Sequence, residues 1–175
     1  MIDESFSLVD VCFAVCTALD NVGTTVVLSG GSAATYYAPQ AYQSRDADFV
    51  ITMRGNAGAN ALVMNNLGYE QLGGTYVHNI NRYTVEFPPG PLAIGNDLVE
   101  NWETYRRGEE HLNVLTRTDC VRDRLAAYYF YGDVSALMAA VAVAKGGNVN
   151  YVALREWSKR EGESLRFEDF QERSR

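Results

Sequence analysis

The stretch Val26–Ile51, VVLSGGSAATYYAPQAYQSRDADFVI, decides how this chain is read. A β-branched run stops at Gly30-Gly31-Ser32, a short helical segment follows, and a second apolar run carries Asp46 and Asp48 two residues apart. In a strand, residues two apart share a face, so Asp46, Asp48 and Val50 point one way and Ala47, Phe49 and Ile51 the other. A buried sheet face seldom tolerates one uncompensated carboxylate, and far less readily two. The pair repels itself unless a cation lies against it. Mg2+ suits such a pair, because it is hard, prefers oxygen and takes one or two carboxylates together with substrate phosphates. Taken alone, the same pattern also fits a solvated strand face on which two acids alternate.

The glycines upstream point toward phosphate. A strand that ends at Gly-Gly-Ser and turns into a helix aims unpaired backbone N–H groups at whatever lies above the turn. Gly30 and Gly31 let a ligand approach the backbone closely, and Ser32 adds a hydroxyl. No lysine follows at the spacing of a P-loop, and Gly-Gly before a helix is also ordinary packing hardware.

Working outward, SLVDVCFAVCTALDNVG places Leu8, Cys12, Val15 and Leu19 on one helical stripe, with Ser7 as cap and Gly23 as stop. TTVVLS and DADFVITM read as strands, SAATYYA and NAGANALVMNNLG as helices. YEQL and TYVH flank Gly73-Gly74 as a hairpin, and RYTVEF alternates as a half-buried strand stopped by PPGP. Leu92–Glu110 reads as a short helix around Trp102 followed by a loop, and HLNVL as one more strand. After Thr116, four helical segments are separated by Gly or Asn. The expected fold class is α+β: a small mixed sheet flanked by helices over residues 1–115, with a helical region, 116–175, packed on it.

The 175 residues carry a net charge of −7, which argues against a large basic nucleic-acid surface. No Lys or Arg precedes Arg45, and most basic residues follow Thr116, so the C-terminal third is the better place to seek an anionic partner. Cys12, Cys16 and Cys120 form neither a disulfide framework nor a zinc pattern. No segment has the length and apolarity of a bilayer span or the pattern of a signal peptide, so a cytoplasmic protein without a membrane partner is expected.

Gly-Gly-Ser, a short helix and Asp-x-Asp on the next strand is the layout of the polymerase-beta-like nucleotidyltransferase superfamily. LSGGSAATYY followed by SRDADFVI resembles its signature, and the spacing is most similar to the minimal group that includes AbiEii-like abortive-infection toxins. LTRTDCVRDRLAAYYFYGDVSALMAAVAVA is similar to the helical segment of these proteins. The resemblance implies a nucleotidyltransferase-like fold that moves NMP from an NTP to a hydroxyl acceptor: an RNA end such as that of tRNA, a protein or a small molecule. It implies Mg2+, one or two ions, on Asp46, Asp48 and a third carboxylate from a later neighbouring strand, for which Glu86 of RYTVEF is the candidate. Glu86 would complete the metal site or accept the proton of the attacking hydroxyl, while Gly30, Gly31 and Ser32 steady the phosphates. A toxin of a toxin–antitoxin system, with a cognate antitoxin as partner, is the corresponding biological reading.

Related toxins place a lysine on the first C-terminal helix, facing the nucleotide, and the matching position here is Arg124. Arginine can grip phosphate bidentately but is not an equivalent point charge. It reads equally as a partner of Asp123 or Asp133, which leaves a catalytically weak nucleotide-sensing or partner-binding module as the competing reading. Arg122 reads as solvated, Arg45 points away from the Asp46–Asp48 face, and His78 and His111 read as structural. Tyr128–Tyr131 (YYFY) covers every helical face and reads as core and interhelix packing. A glycosyltransferase using Asp-x-Asp fits poorly with so short a chain and with the Gly-Gly turn.

Overall fold

A computed structural model of the chain describes residues 2–175. Helix α1 (Leu8–Asp20) starts at a complete capping box, in which Ser7 and Asp10 each satisfy the other's backbone N–H. Its stripe is buried as the spacing predicts, Leu8, Cys12, Val15 and Leu19 all lying in the core. The helix ends at Asp20 rather than at Gly23. Asn21 caps it, and Gly23 takes a positive φ in the turn leading to β1 (Thr25–Leu28).

Chain order continues with α2 (Gly30–Tyr37), β2 (Asp46–Met53), α3 (Ala57–Asn66), the hairpin β3 (Tyr69–Leu72) and β4 (Thr75–His78), and β5 (Thr84–Glu86). A small ribbon, β6 (Ala93–Ile94) and β7 (Asp97–Leu98), precedes β8 (Trp102–Arg107) and β9 (Glu110–Leu115). Four helices follow: α4 (Arg117–Tyr131), α5 (Val134–Lys145), α6 (Tyr151–Arg160) and α7 (Ser164–Arg173). Seven strands form one mixed sheet in the order β3-β4-β5-β2-β1-β9-β8. β2 runs antiparallel to β1 but parallel to β5, and β9 runs parallel to β1. β1 and β9 therefore end where β2 and β5 begin, and the glycine turn, both aspartates, Glu86 and the start of α4 gather at one end of the sheet.

The core lies against the strands at the centre of the sheet. Val26, Val27 and Leu28 are fully buried, α1 packs along β1, β2 and β9, and α2 packs on β2 and against α4 and α5. Each such aliphatic side chain contributes roughly 1.5–3 kcal/mol of burial. Thr24 Oγ1 accepts the Gly55 N–H at 2.9 Å and donates to Asn60 Oδ1 at 2.7 Å, tying the loop before α3 to the start of β1.

Three readings are corrected by the structure. The segment around Trp102 is the edge strand β8, paired with β9 in unbroken register from Trp102↔Leu115 to Arg107↔Glu110. Its residues from Glu103 to Arg107 are all exposed, so it carries no apolar alternation to read, and its charges suit an unpaired edge. Only Tyr129 of the YYFY cluster is deeply buried, stacked on Trp157 at 5.5 Å and bonded to Ser158 Oγ at 2.9 Å. Four consecutive helical residues fan out by about 100° each, so Phe130 and Tyr131 leave the interface for solvent. Arg122 is not solvated: it is bonded to Asp119 at 3.0 Å and to Asp97 of β7 at 3.3 Å, holding the β6–β7 ribbon to α4. Cys12, Cys16 and Cys120 are buried free thiols. Among the described residues, no helix is long and apolar enough to cross a membrane.

Candidate functional site

Parallel pairing of β2 with β5 puts Asp46 beside Thr84 and Asp48 beside Glu86. Strand alternation then turns Ala47, Phe49, Tyr83 and Val85 to one face, where all four are buried, and the three acids to the other. Asp46, Asp48 and Glu86 each present a carboxylate oxygen, and these oxygens lie within 4.8 Å of one another. Two hydroxyls orient the outer pair. Ser44 Oγ donates to Asp46 Oδ1 at 2.8 Å, and Thr75 Oγ1, opposite Glu86 on β4, donates to Glu86 Oε1 at 2.8 Å.

The glycine turn abuts this cluster. Gly30 has φ +62°, and a Cβ there would lie 2.6 Å from Asp48 Oδ2, so the position requires glycine for both backbone conformation and space. The helical ladder of α2 begins with Ala33 N–H to the Ser29 carbonyl, leaving the N–H groups of Gly30–Ser32 ahead of it. Side chains cap α1, α3, α4, α5 and α6, whereas the Ser29 side chain makes no capping bond at α2. Free donors at a helix start attract anions.

Ser32 has a different position from the one its sequence suggests. Its side chain is buried, and Oγ accepts the Asp48 N–H at 3.0 Å while donating to the Ser29 carbonyl at 2.8 Å. The hydroxyl is committed to joining the turn to β2, so only the Ser32 backbone N–H remains to face a ligand. Gly31 packs closely as well: a Cβ there would meet Ser44 Oγ and Tyr42 Oη, each at 3.1 Å.

Burial pushes the Asp48 carboxyl up to about 6, with Asp46 and then Glu86 adding to the rise and Arg124 opposing it. Arg124 does approach from α4, and with Asp123 it lines a cleft of about 300 Å3 bounded by Gly30, Asp48 and the Pro88–Ile94 segment. Its Nε and Nη2, however, both donate to Asp123 Oδ2, at 3.0 and 2.7 Å. That carboxylate holds the Arg124 pKa above its usual value despite the opposing effect of burial. Among the described residues, none of the three clustered acids takes part in an ion pair. An all-oxygen donor set with adjacent negative charges and no paired cation fits a hard divalent ion such as Mg2+.

The two histidines lie away from the acid cluster. His78 bonds the Leu67 carbonyl through Nε2 and accepts the N–H groups of Ile80 and Asn81 through Nδ1, a structural role. His111 faces Asp20 at 3.5 Å, in a hollow of about 820 Å3 near the opposite end of β1 from the glycine turn. Sequence reading missed Ser44 and Thr75. The only local signal for Ser44 is its position two residues before Asp46, and Thr75 becomes a neighbour of Glu86 solely through the β4–β5 register.

Neither a protein-family model nor a curated protein sequence matches the chain. Among solved structures, it is similar to the solution structure of the antibiotic-resistance factor ANT(2'')-Ia, with 13% identity, a TM-score of 0.44, and coverage of 90% of this chain and 94% of that one. It is also similar to a crystal structure of ANT(2'')-Ia in complex with adenylyl-2''-tobramycin, with 12% identity, a TM-score of 0.36, and coverage of 77% and 95%.

Proposed function

We propose that this protein is a metal-dependent nucleotidyltransferase that moves NMP from an NTP to a hydroxyl acceptor. One observation carries the reading: three carboxylates with oxygens within 4.8 Å of one another stand against a glycine turn whose helix start lacks a side-chain cap. Asp46, Asp48 and Glu86 would hold Mg2+, one or two ions. When bound, the metal neutralises phosphate charge and favours the deprotonated form of an attacking hydroxyl.

The chain's own groups then have distinct tasks. Backbone N–H groups at Gly31 and Ser32 donate to phosphate oxygens of the departing pyrophosphate. Arg124, which lines the cleft beside them and bonds Asp123 through Nε and Nη2 only, would offer Nη1 to a phosphate oxygen. The acceptor oxygen forms a bond to the α-phosphorus as the bond to pyrophosphate breaks, and a carboxylate oxygen, best that of Glu86, takes the hydroxyl proton. Thr75 donates to Glu86 Oε1 and helps orient the carboxylate, so Oε2 would be the oxygen that takes the proton. Positioning and charge supply most of the catalysis in such phosphoryl chemistry.

The motif order resembles that of AbiEii-like toxins, which supports a toxin reading. On that reading it works in the cytoplasm with a cognate antitoxin as partner, and its acceptor is an RNA end such as that of tRNA, a protein, or a small molecule. Residues 1–115 would supply the chemistry, and 116–175 would contribute Arg124 to the nucleotide side. The engagement of Arg124 by Asp123 favours a second reading, in which the same site senses a nucleotide without transferring it.

Thermal stability with each NTP, with and without Mg2+, tests the site. A ligand at a hundred times its Kd adds about 2.7 kcal/mol, a gain that D46N/D48N should abolish. Incubating α-labelled NTP with candidate acceptors then separates transfer from sensing. A nucleotide response identical in the double mutant removes the proposal; binding without label transfer selects the second reading.

A further inference from the structure

A second hollow, besides the Gly30–Arg124 cleft, lies next to the acid cluster in sequence and is joined to it through Ser44. Beyond the starting ends of β2 and β5 lies a groove of about 630 Å3 lined by Gln43, Ser44, Arg45, Arg82 and Tyr83. The volume is within the range of small-molecule sites. Ser44 links the two places, lining the groove while its Oγ bonds Asp46. Arg45 directly precedes Asp46, and its carbonyl accepts the Thr84 N–H. Arg82 lies two residues before Thr84, the partner of Asp46, or about 7 Å along the strand.

The two arginines are exposed and have no carboxylate partner among the described residues, although the chain carries 22 acidic groups. Six other arginines (107, 122, 124, 160, 166 and 173) are in ion pairs. Arg82 is steadied by neutral contacts alone: Nη2 donates to Tyr83 Oη at 2.7 Å, and the guanidinium sits 4.8 Å from that ring. Two uncompensated guanidinium forks around one groove form a recognition surface for phosphate oxygens.

We infer that this groove is the acceptor subsite and that it takes an acceptor bearing a phosphate near the hydroxyl to be modified. The inference rests on the transferase reading and extends it. The nucleotide would approach along the glycine turn past Asp48, and the acceptor from the groove beyond the start of β2, whose wall Ser44 joins to Asp46. Arg45 and Arg82 hold the acceptor's phosphate, while Gln43 and Ser44 offer neutral hydrogen bonds to its sugar or backbone. An acceptor recognised mainly through ammonium groups would meet two positive charges here and be disfavoured.

Binding tests this without requiring turnover. The intact protein in EDTA is titrated with ribose 5-phosphate, a single-stranded RNA tetranucleotide and plain ribose, followed by NMR chemical-shift changes. Wild type should bind both phosphate probes but not ribose, and R45Q/R82Q should bind them at least tenfold more weakly. R106Q, which removes an exposed arginine from the distant β8 edge, should bind as wild type does. D46N/D48N should also retain phosphate binding, which separates this groove from the acids. Tighter binding of RNA assigns a polynucleotide acceptor, and equal binding assigns a single phosphate group as the recognised unit. The inference is overturned if neither phosphate probe binds at millimolar concentration, if ribose binds equally well, or if R106Q weakens binding as much as R45Q/R82Q. Failure of the transferase reading would show separately, as an unchanged Mg2+ and NTP response in D46N/D48N.

Discussion

Ser32 Oγ accepts the backbone N–H of Asp48 at 3.0 Å, so the turn that would receive phosphate and the strand that would hold metal are joined through a buried serine. S32A leaves that part-buried N–H without its acceptor. The expected cost is about 1–3 kcal/mol in urea unfolding, with a weaker Mg2+-dependent thermal shift. Full stability together with an unchanged Mg2+ response would mean that this bond does not position Asp48.

Gly30 makes a sharper prediction. Alanine there meets a positive φ and places Cβ 2.6 Å from Asp48 Oδ2. Left-handed backbone costs a non-glycine residue roughly 1–2 kcal/mol, and relieving the clash displaces the carboxylate. G30A should therefore lose both stability and Mg2+-dependent NTP binding. A G30A protein that binds as wild type does would show that the turn and the acids do not share a ligand.

The Asp48 carboxyl, raised to about 6 from an ordinary value of 3.8, predicts an unusual pH dependence in EDTA. Above about pH 6 the group is ionised in both states, and the folded state bears the full cost. As pH falls from about 6 to 4, the folded protein takes up a proton before the unfolded chain does, so this group's contribution to stability rises. A shift of about two units corresponds to about 3 kcal/mol at most. D48N should be more stable than wild type at pH 7.5 in EDTA, and the difference should narrow by pH 5. A difference that is constant with pH would assign the gain to something other than relief of charge.

Glu86 and Thr75 separate presence of a ligand from its orientation. E86Q should sharply weaken any Mg2+ response. T75V keeps the carboxylate but removes the 2.8 Å bond that fixes it, and is expected to give a smaller loss. Isothermal titration with Mg2+ ranks the two. An E86Q protein with unaltered Mg2+ affinity would leave Asp46 and Asp48 to act without the third acid.

Much of this was legible locally. The Leu8–Leu19 stripe, the Gly73-Gly74 hairpin, the alternation that sets Asp46 and Asp48 against Ala47 and Phe49, and the matching alternation at Glu86 all follow from periods of 3.6 and 2. The edge strand β8 was not legible, because exposure on both faces erases the alternation that marks a half-buried strand.

The sequence by itself determined which residues share a face, where the glycines break a strand, and that three acids lie on two separate strands. Tertiary structure alone decided that those acids meet, through the parallel β2–β5 register. It also decided that the Ser32 hydroxyl is spent on Asp48, that Arg124 is engaged by Asp123, and that Arg45 and Arg82 flank one groove. The physical reason is that local periodicity fixes direction within an element. Distance between elements depends on strand register and chain crossing, which no short window of residues encodes.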